Sequence, residues 1–244
     1  RDTAMKSSVL TNLLVIALVL LICRDLSAAD RPPNFVVILA DDLGYGDVGA
    51  YRELYPGEDD KPIAYRHTPE LDKLAREGIR CTRAYATGWC APSRQALLSG
   101  QWVGRANAYD HPWIGNQLRG QGYVTGFYGK SHGRRPTQKV FGNVNPETAE
   151  FDDGLFFNGG AREYYLKPGE KFVGRKAFEQ FVFTAEGGEH LTDVFTDHAI
   201  DFIQRNADQP FMLYVPYTAP HEPCQGKVDD LQKLFPETFS GMTD

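Results

Sequence analysis

The chain has 244 residues, 42% hydrophobic, 12% aromatic and 24% charged, an average composition for a globular protein with a sizeable core. Collagen-like, low-complexity and mainly disordered architectures are thereby excluded. Lys and Arg number 26 against 32 Asp and Glu, a net charge of −6, so there is no basic footprint for nucleic acid, and an anionic ligand needs a local cationic site or a metal.

At the N-terminus, Met5-Lys6 opens a short basic region and Leu13 to Ile22 is an unbroken apolar run. Ser27-Ala28-Ala29 then puts small residues where a signal peptidase reads. The run is shorter than the roughly 20 residues that a mature membrane helix needs. Residues 1–29 therefore read as a leader cleaved near Ala29, and residues 30–244 as part of a folded domain. The expectation is an exported protein, periplasmic or secreted, with no stable membrane anchor. Cleavage removes Cys23 and leaves Cys81, Cys90 and Cys224, an odd set too small for a disulfide scaffold. One of the three is expected to have a chemical task.

Phe35 to Ala40 is a short continuous apolar run, the pattern of a strand buried on both faces. Thr68-Pro69-Glu70 predicts a helix start with a hydroxyl cap and proline in the first turn; Leu71, Leu74 and Ala75 form its apolar stripe, and Gly78 stops it. Ile79 to Tyr85 reads as a second strand and Ser93 to Leu98 as a helix start. His111 to Arg119 is a predicted helix ending at Gly120, followed by a strand from Tyr123 to Tyr128. Pro136 to Gly188 is rich in Gly, Asn and aromatics and reads as insertions and loops. Thr192 to Arg205 is an amphipathic helix carrying Val194, Phe195, Ala199, Phe202 and Ile203 on one side. Phe211 to Tyr217 closes the series as an apolar strand. The alternation predicts an α/β fold, a mainly parallel sheet with helices on both faces.

Each predicted strand is followed by reactive residues. Asp41-Asp42 follow the first, Cys90-Ala91-Pro92-Ser93-Arg94 the second, Lys130-Ser131-His132 the third and His221 the fourth. Ligands of open α/β sheets bind outside the carboxyl ends of the strands, so a parallel sheet would bring all four clusters to one edge. Each cluster also has an ordinary structural reading. An Asp pair is often a solvated turn, a lone cysteine a small buried hydrophobe, a lysine a surface charge and a histidine a hydrogen-bonder. Two adjacent carboxylates at the end of a buried strand, however, repel unless a hard cation such as calcium or magnesium joins them.

The segment Cys90-Ala-Pro-Ser-Arg94, followed by Gln-Ala-Leu-Leu-Ser-Gly100, resembles the modification motif of the type I sulfatases. Pro33-Asn34 through Asp41-Asp42-Leu-Gly-Tyr-Gly-Asp47 is similar to that family's opening strand and metal ligands. Gly129-Lys130-Ser131-His132-Gly133 is similar to its Gly-Lys-Trp-His segment, and Pro210 to Pro223 to its later histidine strand. The resemblance covers nearly all of residues 33–235 and is nearest the arylsulfatase-type branch. It implies an alkaline-phosphatase-like α/β/α sandwich.

The resemblance also implies roles. Cys90 would be oxidised to formylglycine by a formylglycine-generating enzyme, and the aldehyde hydrate would be the nucleophile. Arg94 would hold that hydrate, and Lys130 would bind a sulfate oxygen. His132 would take the proton when the hydrate collapses, and His221 would assist the leaving oxygen. Asp41, Asp42 and the group made from Cys90 would ligate a divalent ion, calcium or another. The substrate would be a sulfated small molecule or glycan. Three departures stand out. Ser131 replaces the usual tryptophan, and Gln101 replaces a usual cation. The family's Asp-Asn metal pair and second sulfate-binding lysine have no counterpart before Asp244, so the C-terminal part of the fold is expected to be missing. A non-catalytic sulfatase-like fragment and a related phosphoester hydrolase stay open as alternatives.

Overall fold

The computed structural model describes residues 31–54, 67–102, 112–132, 150–177 and 179–241. The predicted leader, His111 and Gly133 lie outside them. The chain divides into two units, Arg1–Asn34 and Phe35–Asp244. Of the first, only residues 31–34 are described, and they carry no regular secondary structure. Among the described residues, no helix is long and apolar enough to cross a membrane.

Among its described residues the second unit has six strands: β1 (Phe35–Leu39), β2 (Val124–Lys130), β3 (Asp153–Phe157), β4 (Lys171–Lys176), β5 (Glu179–Thr184) and β6 (Phe211–Pro216). They form one sheet in the order β1-β6-β2-β3-β4-β5. The pairs β1–β6, β6–β2 and β2–β3 are parallel, and β3–β4 and β4–β5 antiparallel. The helices are α1 (Pro69–Glu77), α2 (Cys90–Ser99), α3 (Ile114–Arg119), α4 (Leu191–Arg205), α5 (Val228–Leu234) and α6 (Pro236–Phe239). The predicted α/β class, mainly parallel with helices on both faces, is the observed one.

Two cores lie on the two faces, because neighbouring residues of a strand point opposite ways. On one face Tyr128, Leu155, Leu213 and Val215 pack against Val194, Phe195, Ala199 and Phe202 of α4. On the other, Phe127, Phe156, Met212 and Tyr214 pack with Leu98 of α2, Trp113 and Phe151. Burying each phenylalanine contributes roughly 1.5–3 kcal/mol, so these aromatic layers carry much of the fold.

Several expectations are corrected. Residues 79–85 form no strand; Tyr45 Oη donates to the Ala84 carbonyl (3.2 Å) and Tyr51 Oη to that of Cys81 (3.0 Å). Acceptors that a sheet ladder would use are thus taken by side chains. The Cys90 cluster therefore sits at the start of α2, not after a strand. The stripe of α1 is unpacked, with Leu74 67% exposed. Thr68 occupies its N-cap position without a capping bond; its hydroxyl instead accepts from Gly49 N (2.9 Å) and donates to Asp72 (3.0 Å). The apolar run of β1 is covered on one face by Val37 and Leu39 packing, whereas Val36 and Ile38 are 49% and 63% exposed. β1 is an edge strand, and no described element covers those two side chains.

The stretch expected as loops contains β3, β4 and β5. Its acidic run is also buried, each carboxylate being matched: Glu150 accepts from Trp113 N (2.9 Å), Asp152 from Thr125 N (3.0 Å) and Asp153 from Tyr128 Oη (2.7 Å). Arg205 of α4 adds an ion pair to Asp153 (2.9 Å). Buried carboxylates persist only when paired in this way.

His198 of α4 lies between the rings of Tyr128 (6.2 Å) and Phe181 (5.9 Å), edge-on to Phe183. Burial, helped by Lys176, pushes its imidazole below the usual value, although Asp201, Asp153 and Asp197 oppose the shift. A folded-state value below the unfolded one means that acid favours the unfolded chain. The stability held above about pH 6.5 is expected to fall as pH drops through that value towards the folded one. Urea unfolding at pH 7.5 and 5.0 checks this: His198→Phe should lose less on acidification than the wild type. Equal losses would assign the acid sensitivity elsewhere.

Candidate functional site

The site is assembled at the carboxyl ends of β1, β2 and β6. Gly129 makes their approach possible. Its φ of +144° is open to glycine, and a Cβ there would collide with the Pro216 carbonyl of β6. The next residue, Lys130, ends β2. Asp41 follows β1 and is fixed by its backbone N–H donating to the Ala219 carbonyl (3.0 Å).

Cys90 is the first residue of α2. The turn before it is pinned by Thr87 and Ser93, whose hydroxyls lie 2.8 Å apart, and by Ser93 Oγ donating to the Trp89 carbonyl (2.9 Å). Pro92 is tolerated because a first-turn residue has no helical acceptor for its missing N–H. Gly100 closes the helix in the left-handed region, φ +66°. Cys90 thus stands where aligned peptide dipoles give a partial positive charge.

Arg94, one turn on and 1% exposed, joins three strand ends. Its Nη1 donates to the Lys130 carbonyl (2.9 Å), and its Nη2 to the Tyr217 carbonyl (3.2 Å), with Asp41 Oδ1 also at 3.2 Å. The ammonium of Lys130, fully buried, pairs with Asp41 Oδ2. The nearly buried Asp41 carboxylate is therefore held by two cations, which is what removal from water demands of it.

His132 Nδ1 lies 3.0 Å from Cys90 Sγ. Burial first, then the charges of Lys130 and Arg94, push the His132 imidazole below its usual value, which keeps it neutral and able to accept a proton at neutral pH. His221 Nδ1 is 2.8 Å from the Glu222 carbonyl, and its Nε2 is 3.5 Å from Asp42 Oδ2. Asp42 is exposed, in the left-handed region at φ +64°. Ligand atoms of Asp41, Cys90 and His221 all lie within 4.8 Å of one another.

All seven residues singled out in the sequence thus gather in one place: Asp41, Asp42, Cys90, Arg94, Lys130, His132 and His221. Asp42 stands outside the trio of Asp41, Cys90 and His221 and meets it through His221; a carboxylate is the kind of hard oxygen donor that a divalent cation takes. Cys81, Cys90 and Cys224 are all free. Two residues escaped the sequence reading. The buried Tyr164 hydroxyl reaches the carbonyls of Thr218 (3.1 Å) and His221, and burial pushes its pKa up to about 12, so it acts as a fixed neutral donor holding the His221 loop. Gly160 lies against His132, where a Cβ would be 3.6 Å from Cε1. Both belong to the segment expected as loops and carry no motif.

A family model described as Sulfatase matches residues 33–243. The chain is 32% identical over 230 residues to the N-acetylgalactosamine-6-sulfatase of Homo sapiens, covering 81% of this chain and 41% of that protein. It is 31% identical over 252 residues to the uncharacterized sulfatase YdeN of Escherichia coli, covering 83% and 44%. It also resembles the solved structure of Ps i-CgsB in complex with k-i-k-neocarrahexaose, at 26% identity and TM-score 0.62, covering 88% of this chain and 50% of that one. The PsFucS1 sulfatase from Pseudoalteromonas sp., 24% identical, shares the fold at TM-score 0.59 over 82% and 46%. The chain spans less than half the length of the curated relatives it matches.

Proposed function

The chain belongs to the sulfatase family, and on that premise we propose that the complete gene product hydrolyses sulfate esters of a small molecule or glycan through an oxidised Cys90. The observation that carries this reading is the placement of Cys90 Sγ 3.0 Å from His132 Nδ1, at a helix start, with Arg94, Lys130 and His221 in the same site.

Sulfate-ester cleavage needs a nucleophile aimed at sulfur, cations for the oxygens that gain charge, and a proton for the leaving oxygen. The aldehyde hydrate derived from Cys90 would supply two hydroxyls, one to attack and one whose later collapse frees sulfate, dividing a hard step in two. A divalent ion held by Asp41 and Asp42 would polarise the sulfate and the attacking hydroxyl. Arg94 offers a rigid planar fork that would hold negative charge beside residue 90. Lys130, buried against Asp41, would lend its point charge to a sulfate oxygen. Neutral His132 is placed to take a proton from the group at residue 90, and His221 to donate one to the leaving oxygen. Export through the leader read at residues 1–29 belongs to this proposal.

The test is co-expression of the complete gene product with a formylglycine-generating enzyme. Peptide mass spectrometry is expected to find the aldehyde on the Cys90 peptide and unmodified thiols at Cys81 and Cys224. An activated aryl sulfate should then be turned over, with loss on chelation and recovery with calcium. An intact Cys90 thiol in a maturation-competent host, or full conversion without turnover, would overturn the reading.

A further inference from the structure

The two loops that frame the histidines run on into a cleft. After β3, Gly160 packs against His132 and is followed by Ala161, Arg162 and Glu163. After β6, His221 is followed by Glu222, Pro223 and Cys224. These six residues line a solvent-open depression of about 480 Å³, a volume that admits a small molecule.

The walls are tied together. Tyr164, between them, reaches the carbonyls of Thr218 and His221. Gln225 Oε1 accepts from Tyr164 N (2.6 Å), while its Nε2 donates to the Glu163 carboxylate. A cleft so cross-linked presents its groups without reordering, which lowers the cost of binding.

Its charge is one-sided. The Arg162 guanidinium lies 4.8 Å from the ring centroids of both Phe157 and Phe172 and pairs with Glu170, so its charge is satisfied within the protein. Glu163 meets only the neutral amide of Gln225, and Glu222 is exposed with no cationic partner among the described residues. Carboxylates accept hydrogen bonds from hydroxyls and repel other anions.

We propose that this cleft binds the sugar ring bearing or adjoining the scissile sulfate, and that Glu163 and Glu222 select a ring carrying only hydroxyls besides that sulfate over one with a second sulfate or a carboxylate. The proposal rests on the sulfatase reading and deepens it. The recognition is divided: Lys130 serves the one anion to be cleaved, and the acidic cleft penalises another beside it.

The experiment compares kcat/KM of the matured complete gene product for a monosulfated neutral sugar and its disulfated counterpart. The wild type should favour the monosulfated sugar by about tenfold or more, the scale on which a few pocket contacts discriminate. Glu163→Gln with Glu222→Gln should erase most of that ratio, chiefly through KM of the disulfated sugar. Glu179→Gln, on the β4–β5 hairpin beside Lys176, should leave it in place. Each ratio is taken on one preparation, so incomplete maturation cancels. An absent preference, or one untouched by the double substitution, would overturn the subsite while leaving the sulfatase reading standing. Should no sulfate ester turn over, dissociation constants for the two sugars on the Cys90→Ala protein decide the question. Preferential binding that the double substitution removes would keep the subsite and sink the chemistry; equal or absent binding would sink both.

Discussion

Cys90→Ala is expected to reduce sulfate-ester turnover by the complete gene product on the order of 10⁶-fold in kcat, the scale seen when a covalent nucleophile is deleted. No neighbouring group can substitute. Arg94 and Lys130 are cations without a lone pair to offer, and Asp41 is held by both of them. His132 Nδ1 lies 3.0 Å from Cys90 Sγ, where it would serve as the proton partner of residue 90 and not as a nucleophile. Cys90→Ser separates attack from release. Its single hydroxyl, beside the same imidazole, can take the sulfuryl group but has no second hydroxyl to expel it. A stoichiometric sulfate adduct on that peptide, with no steady-state turnover, is the expected mass-spectrometric result. Sustained turnover by either variant would show that the oxidised residue is not the nucleophile. The fold should survive both changes, because Cys90 is only half-buried and its removal leaves the pairing around Asp41 intact.

Arg94→Ala is expected to be the opposite case, a loss of stability as well as activity. The side chain is 1% exposed and donates to carbonyls at the ends of β2 and beyond β6 while pairing with Asp41 after β1. Truncation strands a buried carbonyl, a half-buried one and half the pairing of a buried carboxylate. Removing one partner from such an arrangement costs about 3–5 kcal/mol; with Lys130 still on Asp41, the lower end, about 3 kcal/mol, is expected. That is a large part of the roughly 5–15 kcal/mol by which a domain is stable. Denaturant melts should show a lower midpoint with an unchanged slope. Arg94→Lys should recover only part, because an ammonium cannot reach three acceptors with a planar fork. A midpoint within experimental error of the wild type would mean that the three strand ends hold together without the guanidinium.

The elements the sequence predicted well are those whose signal is local. Val194, Phe195, Ala199 and Phe202 fall on one face of α4 because helical period alone places them there. Gly78, Gly100 and Gly120 each stand at a helix end. The apolar run from Phe211 becomes β6, buried at every position. The missed elements had conflicting local signals. β3 begins with Asp153-Gly154 and β4 with Lys171, residues that favour turns or solvent when taken alone. β3 becomes a strand because a parallel neighbour, β2, supplies its ladder, and because Tyr128 and Arg205, distant in sequence, satisfy Asp153; β4 in turn pairs antiparallel with β3 and β5.

For the site, the residue types and the family resemblance were enough to suggest the proposed chemistry: adjacent carboxylates for a hard cation, a cysteine in a modification motif, and histidines for proton transfer. A side chain's donors and ionisation are properties of the residue itself. Which of them meet was decided by the tertiary structure. Asp41 is separated by 89 residues from Lys130, and Arg94 by 123 from Tyr217, and only the parallel order of β1, β6 and β2 brings these ends together. The route by which Cys90 arrives, at the start of α2, and the pinning of His221 by Tyr164 lay outside any local pattern. They depend on backbone carbonyls, which every residue carries alike, so their partners are fixed by the packing of the chain and leave no mark in the sequence.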